Sequence, residues 1–237
     1  MQAARIAELL APFLGGEPLT TGDLDHISTY IDILLRWNAR INLTAIRDPD
    51  EIVTRHFGES FFAARHLFPR QTNPGESSHR KFAEPDAKAG ESSIDKAAEQ
   101  RKKPRLADIG SGAGFPGIPI KLWAPDIAMT LIESNHKKST FLREIARALT
   151  LTDIDIQNAR AESLPPASFD VVTLRAVDRF EQILAAAAAL VAPAGRLALL
   201  ISSPQLRTAR SLLPTHTLST PYPIPNSTSR ILLIASR

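Results

Sequence analysis

The chain has 237 residues, of which 43% are hydrophobic and 22% charged, and its 28 basic and 25 acidic side chains leave a formal net charge of +3. That length suits one full α/β domain with an appendage. The composition is that of an ordinary globular protein rather than a disordered or membrane one, and the small positive excess leans towards a polyanionic partner without requiring it. Cysteine is absent, which excludes disulfides, zinc-thiolate and iron-sulfur sites and any catalytic thiol.

Residues 1–16 lack a basic start followed by a long apolar core, and the longest small-apolar run, 183–192, is too short to span a bilayer. A cytoplasmic protein without a membrane partner is therefore expected, and a monomer is taken as its state. The first segment reads as helical: Leu24, Ile27, Tyr30, Ile31, Leu34 and Trp37 recur at helical spacing behind a capping pattern from Thr20 to Asp23. Asp48 as N-cap, Pro49 in the first turn and Glu51 three residues after the cap announce a second helix carrying Ile52, Val53, His56, Phe57, Phe61 and Ala64. Together these give a helical cap over 1–68. Residues 69–104 turn to Gln, Asn, Ser, Glu, Lys and Pro, with Phe82 and Ile94 as the sizeable apolar residues, and read as a flexible polar insertion.

From 105 to 237 strand and helix signals alternate as in a parallel sheet. Strands are predicted at 106–109, 129–132, 154–157, 169–174, 196–201 and 230–235, and helices at 137–149, 180–191 and 205–213, with a break at 193–195. No crossover helix fits between Pro214 and the last strand, so the terminal strands are expected to pair as an antiparallel hairpin. The fold class is α/β: a Rossmann-like, doubly wound sheet, mostly parallel with an antiparallel C-terminal strand, plus the helical cap.

The segment Leu106-Ala107-Asp108-Ile109-Gly110-Ser111-Gly112-Ala113-Gly114-Phe115-Pro116-Gly117 places a glycine loop between a strand and a helix. Glycines there allow a tight turn and close approach to a ligand. Glu133 follows Gly110 at the end of the second strand, where a carboxylate can accept from both hydroxyls of an adenosine ribose. The window Gly112-x-Gly114-x-x-Gly117 also satisfies a dinucleotide fingerprint, so an NAD-dependent oxidoreductase is the alternative. Against it, the first glycine after the strand is Gly110, preceded by Asp108, and Pro116 stands where a dinucleotide loop would continue as helix. An acid beside the loop favours the ammonium of S-adenosylmethionine and would repel a pyrophosphate.

At these residues the chain resembles the bacterial small-subunit ribosomal RNA methyltransferases that modify guanine N7 in the decoding-site loop of 16S RNA, also called glucose-inhibited division protein B. The blocks that carry the resemblance are Trp37-Asn38-x-x-x-Asn42-Leu43-Thr44 with Arg47-Asp48-Pro49 and Arg55-His56 followed by Ser60, the loop from Asp108 to Pro119, and Phe169-Asp170-x-x-x-x-Arg175-Ala176. The resemblance implies S-adenosylmethionine as cofactor and small-subunit RNA or an assembly particle as partner. It further implies a methyltransferase domain over 105–237 and no metal. Asp108, Gly110, Gly112, Gly114, Phe115 and Glu133 would then serve the cofactor, Ala161 and Glu162 its adenine side, and Arg175 the catalytic mouth between cofactor and base. Arg55 and His56 would meet RNA. Three positions depart from the family: Glu59 replaces an aspartate, Ile201-Ser202 replaces Lys-Gly, and Arg230-Ile231 replaces Arg-His.

The missing cysteine forbids methylation at cytosine C5, which needs a thiolate adduct. Exocyclic amines are usually methylated beside an Asn/Asp-Pro-Pro-aromatic loop after the fourth strand, where this chain reads Arg175-Ala176-Val177-Asp178, its one Pro-Pro being Pro165-Pro166 before that strand. A ring nitrogen with a free lone pair, guanine N7, fits what remains. A noncatalytic RNA-binding module on the same fold is a third reading, against which the intact glycine loop argues.

Overall fold

A computed structural model describes residues 1–70, 103–175 and 180–237. Helix α1 (Ala3–Leu14) ends at Gly15, whose φ of 63° is left-handed and closes the last turn. Helix α2 (Thr21–Asn38) starts on the expected capping box: the Asp23 amide donates to Thr20 Oγ1 at 3.1 Å and the Thr20 amide to Asp23 Oδ2 at 3.0 Å. Asp48 likewise accepts from the Glu51 amide at 2.9 Å and opens α3 (Pro49–Glu51). The chain then continues through a π-helical stretch, Ile52–Gly58, into α4 (Glu59–Leu67). Such widened turns are uncommon and concentrate at functional sites; this one carries Arg55 and His56.

The sheet comprises β1 (Arg105–Ile109), β2 (Ala128–Ile132), β3 (Ile154–Gln157), β4 (Phe169–Arg175), β5 (Val191–Ser202), β6 (Thr217–Leu218), β7 (Tyr222–Pro223) and β8 (Arg230–Ser236). Its order is β3-β2-β1-β4-β5-β8-β6, with β7 also on β8; β1 to β5 are parallel and β8 runs antiparallel to β5. Between them lie α5 (Gly117–Trp123), α6 (His136–Ala148), α7 (Phe180–Leu190) and α8 (Gln205–Leu212). The chain leaves β1 towards β2 on one side and returns to β4 on the other, and that reversal of strand order is where α/β sheets open a crevice for ligands.

Two details differ from the sequence expectation. Strand β5 starts at Val191 rather than 196, because Val191 already pairs with Phe169, and a register irregularity before Val171 absorbs Ala194 with its φ of 60°. The terminal strands are antiparallel as expected, but they are not a simple hairpin. The expected helix, α8, lies between them, and the unexpected addition is the pair of short strands β6 and β7 along the far edge of β8.

Side chains alternate across the sheet and both faces are buried. Leu106, Met129, Leu131, Val171, Ala198 and Leu200 join one cluster with α5, α6 and the N-terminal helices. Ala107, Ile109, Val172, Leu174, Leu197 and Leu199 face α7 and α8. The N-terminal helices therefore share a continuous core with one sheet face. Phe141 of α6 is fully buried there against Trp37 and Tyr30 of α2. The expected insertion falls almost wholly outside the described residues. At its two ends, the Arg70 guanidinium lies 3.9 Å from the centroid of the Trp123 ring and Lys103 pairs with Asp153 at 2.7 Å. Among the described residues no helix is long and apolar enough to cross a membrane.

If the helical layer and the sheet share one core, Phe141→Ala should cost about 3–5 kcal/mol by chemical denaturation. A loss below about 1 kcal/mol would mean that the helices only rest on the sheet.

Candidate active site

Three glycines after β1 take left-handed backbone angles: Gly110 (φ 64°), Gly112 (φ 56°) and Gly114 (φ 85°). A side chain is strained at each. At Gly114 space forbids one too, since a Cβ would stand 2.2 Å from the Tyr30 hydroxyl and 2.7 Å from Ile118. The loop is tied to β2 by the Gly110 and Ser111 amides, which donate to the Ile132 carbonyl at 2.9 and 3.2 Å. From beneath, the fully buried Tyr30 donates its hydroxyl to the Ala113 carbonyl.

Asp108 lies under this loop with no exposed surface. Its Oδ2 accepts from the Gly117 amide at 3.2 Å and its Oδ1 from Thr173 Oγ1 at 2.8 Å. Burial lifts its pKa to about 6, held from rising further by the Thr173, Gly117 and Ser111 hydrogen bonds and by Arg175. The sequence reading placed Asp108 beside the ligand; in the structure its carboxylate is turned inward and shapes the loop.

Glu133, at the end of β2, is 7% exposed. Its Oε2 accepts from the Gly112 amide at 2.9 Å and its Oε1 from the Asn135 amide at 2.7 Å, so it spans from the glycine loop to the cap of α6. Each carboxylate oxygen keeps a further lone pair that can accept a hydroxyl. Beside it a cleft of about 320 Å³ is lined by Ile109, Gly110, Ile132, Ser134, the 159–162 turn and Gln182 with Ile183 of α7. Ala161 and Glu162 stand on its wall after β3, in a short 3₁₀ turn.

Phe115 turns away from this cleft into an aromatic stack. The Tyr30 ring lies parallel to it at 5.3 Å and the His56 ring at 4.7 Å, with Phe57 edge-on at 5.0 Å. His56 Nδ1 is 3.1 Å from an Arg175 nitrogen, and its Nε2 is 2.8 Å from Thr44 Oγ1. Arginine can only donate, so Nδ1 accepts and Nε2–H donates to Thr44. Burial, with Arg175, Arg55 and Arg230 nearby, lowers the His56 pKa to about 3. Asn38 holds the turn that presents Thr44, accepting from the Leu43 and Thr44 amides at 2.9 and 3.0 Å.

Arg175, at the end of β4, donates to the Arg55 carbonyl at 2.8 Å and pairs with Glu59 at 3.2 Å. Arg230 pairs with the same Glu59 oxygen at 2.9 Å and Arg55 with the other at 3.3 Å. The structure therefore brings Asp108, the three glycines, Phe115 and Glu133 to one loop, sets Ala161 and Glu162 across the cleft, and gathers Arg55, His56 and Arg175 behind Phe115. His56, buried with both ring nitrogens engaged, is not presented to an RNA strand, and Arg55 is the more exposed of that pair. Sequence reasoning missed Tyr30, Thr173, Gln182 and Arg230 as site residues. Arg230 had a signal, the Arg of the terminal strand; Tyr30 looked like one more apolar position on α2.

A switch-point crevice, a positive-φ glycine loop and an acid at the end of the second strand are the parts of a Rossmann-like site for an adenosine-bearing cofactor, and the residues present fit S-adenosylmethionine. The rRNA small subunit methyltransferase G (GidB) family model matches residues 23–73 and 92–211, and the chain belongs to that family. It is similar to "Ribosomal RNA small subunit methyltransferase G" of Xanthomonas campestris, 34% identical over 193 residues that cover 81% of this chain and 75% of the relative. The protein of the same name from Halorhodospira halophila is 35% identical over 73% of this chain and 67% of its own length. Among solved structures, a ribosomal protein L11 methylase from Lactobacillus delbrueckii shares the fold, with a TM-score of 0.50, 18% identity, and coverage of 60% of this chain and 73% of that one. So does the [4+2]-cyclase SpnF, with a TM-score of 0.50, 14% identity, and coverage of 60% and 78%. The fold alone therefore does not fix the chemistry; the family match does.

Glu133→Ala should weaken S-adenosylmethionine binding by about 1–3 kcal/mol in calorimetry, since ribose hydroxyls lose a charged acceptor and the Gly112 amide loses its partner. Unchanged affinity would place the ribose elsewhere.

Proposed function

We propose that the chain transfers a methyl group from S-adenosylmethionine to N7 of a guanine in the decoding-site loop of 16S ribosomal RNA, acting in the cytoplasm as a monomer. The family match and the names of the curated relatives support the ribosomal substrate. The observation that carries the choice of atom is the state of His56, the imidazole beside the mouth. Its Nδ1 lone pair is taken by Arg175 and its pKa lies near 3, so it stays neutral and occupied at physiological pH and offers no general base. When bound, the cofactor supplies a methyl on a positively charged sulfur, which a ring nitrogen with a free lone pair can take without first losing a proton.

In this reading the glycine loop and Glu133 hold the cofactor, with Ala161 and Glu162 on its adenine side. Asp108 and Phe115 act on it through the loop they shape. Arg175 stands between the loop and the arginine cluster, where it orients the incoming base. Alignment of nucleophile and methyl is then the main contribution of the protein. Arg55 belongs to the RNA-facing side, and His56, buried behind it, acts there only through Arg175.

Small-subunit RNA or particles lacking the modification, incubated with the enzyme and cofactor, should gain one 7-methylguanosine in the decoding-site loop, read by mass spectrometry of nuclease digests. The single-turnover rate at saturation should be nearly flat from about pH 6.5 to about pH 9. Methyl appearing on an exocyclic amine or a ribose, or a tenfold rise per pH unit abolished by replacing one acid or histidine, would overturn the assignment.

A further inference from the structure

Glu59 is 1% exposed and sits among three guanidiniums that come from distant parts of the chain: Arg55 from the π-helical turn, Arg175 from β4 and Arg230 from the start of β8. Their side chains are 41%, 8% and 19% exposed respectively, so the group grades from interior to surface. Arg55 also pairs with the half-exposed Glu51 at 3.5 Å, so among the described residues two carboxylates face three cations and leave an excess of one positive charge. His56, which bonds Arg175, is held neutral and adds no charge of either sign. Burying charges costs several kcal/mol per ion unless partners compensate, and a single Glu–Arg pair would have been the cheaper structural solution. The Nε of Arg230 is also buried without an acceptor, a donor that native interiors rarely leave unmatched.

The cluster adjoins the cofactor loop. Arg175 bonds the imidazole that stacks on Phe115. Arg230 pairs in register with Ser202 of β5, at the same end of the sheet as the end of β4, where Arg175 is opposite Leu200. Planar guanidiniums in fixed orientation match phosphate oxygens by paired hydrogen bonds.

We infer that Glu59 is a positioning residue that gathers Arg55, Arg175 and Arg230 into a cradle for one phosphodiester of the RNA strand beside the reacting base. This rests on the RNA reading above and adds a site to it. Glu59 does not touch the phosphate. It holds the guanidiniums close enough to act as one receptor, and a phosphate supplies the negative charge that the group lacks.

The test is RNA binding across a salt series, together with kcat/KM for RNA and cofactor affinity by calorimetry. Arg230→Gln should lower the slope of log K against log salt by about 0.7 to 0.9, the signature of one lost phosphate contact, and reduce kcat/KM by about tenfold or more while leaving cofactor affinity within about twofold. Glu59→Gln should behave differently: a slope equal or steeper, because the positive excess grows, yet a comparable fall in kcat/KM that Glu59→Asp partly restores. If Glu59→Gln does not fold, Arg230→Gln and the half-exposed Arg55→Gln decide through the slope alone. An unchanged slope in both arginine variants, or a fall in cofactor affinity as large as the fall in RNA efficiency, overturns the cradle. If the wild-type enzyme neither binds nor methylates small-subunit RNA or particles, it is the substrate reading that fails, and the cradle with it.

Discussion

Three left-handed glycines in five residues make a loop that cannot hold its own shape, because the conformational freedom that lets glycine adopt those angles also lets it leave them. The shape must be imposed from outside. Asp108 fastens the Gly117 amide, Tyr30 takes the Ala113 carbonyl, and Glu133 takes the Gly112 amide, so the loop is anchored below, behind and across. Two of these anchors are fully buried, Asp108 at the end of β1 and Tyr30 on α2 of the helical layer. A ligand site open to solvent thus depends on contacts that never meet solvent.

The same layer links the cofactor loop to the arginine cluster. Phe115 stacks on His56, His56 bonds Arg175, and Arg175 pairs with Glu59, each step a direct contact. The two buried titratable groups oppose one another in their effect on stability. His56, lowered from 6.5 to about 3, contributes stability above its unfolded value that is lost as pH falls towards 3. Asp108, raised from 3.8 to about 6, contributes stability at low pH that is lost as pH rises through 6. Between pH 4 and 6 the two contributions run in opposite directions. Retaining a buried carboxylate at this cost fits its service to the loop: a neutral apolar residue could not hold both the Gly117 amide and the Thr173 hydroxyl.

Much of this was legible in the sequence because it is written in local codes. The capping residues Thr20 and Asp48, the alternating strands and the glycines after β1 each depend on near neighbours. The mostly parallel sheet and its antiparallel last strand followed from the alternation of those elements along the chain, whereas the strand order did not. What was not legible depends on distant partners. Nothing in the run around Ile52 and Gly58 announces a π-helical turn, and its consequence is to carry Arg55 and His56 to β4. Asp108 looked like a ligand acid because sequence gives its position but not its direction; a residue at a strand end has two faces to choose from. His56 looked like an RNA contact beside Arg55, but successive residues on a helix point in different directions, and one is half exposed while the other meets Phe115. Tyr30 carried no functional signal, since one phenol among apolar neighbours on α2 is first of all a core residue.

The central claim, that the helical layer sets the cofactor loop from beneath, is most directly tested at Tyr30. It has no exposed surface, so it cannot touch the cofactor, and its hydroxyl bonds the loop carbonyl of Ala113. S-adenosylmethionine titrated calorimetrically into folded Tyr30→Phe should bind about 0.5–1.5 kcal/mol more weakly than to the wild type, the worth of one hydrogen bond lost from the loop. Undiminished affinity would contradict the claim and show that the loop holds its shape without the helices.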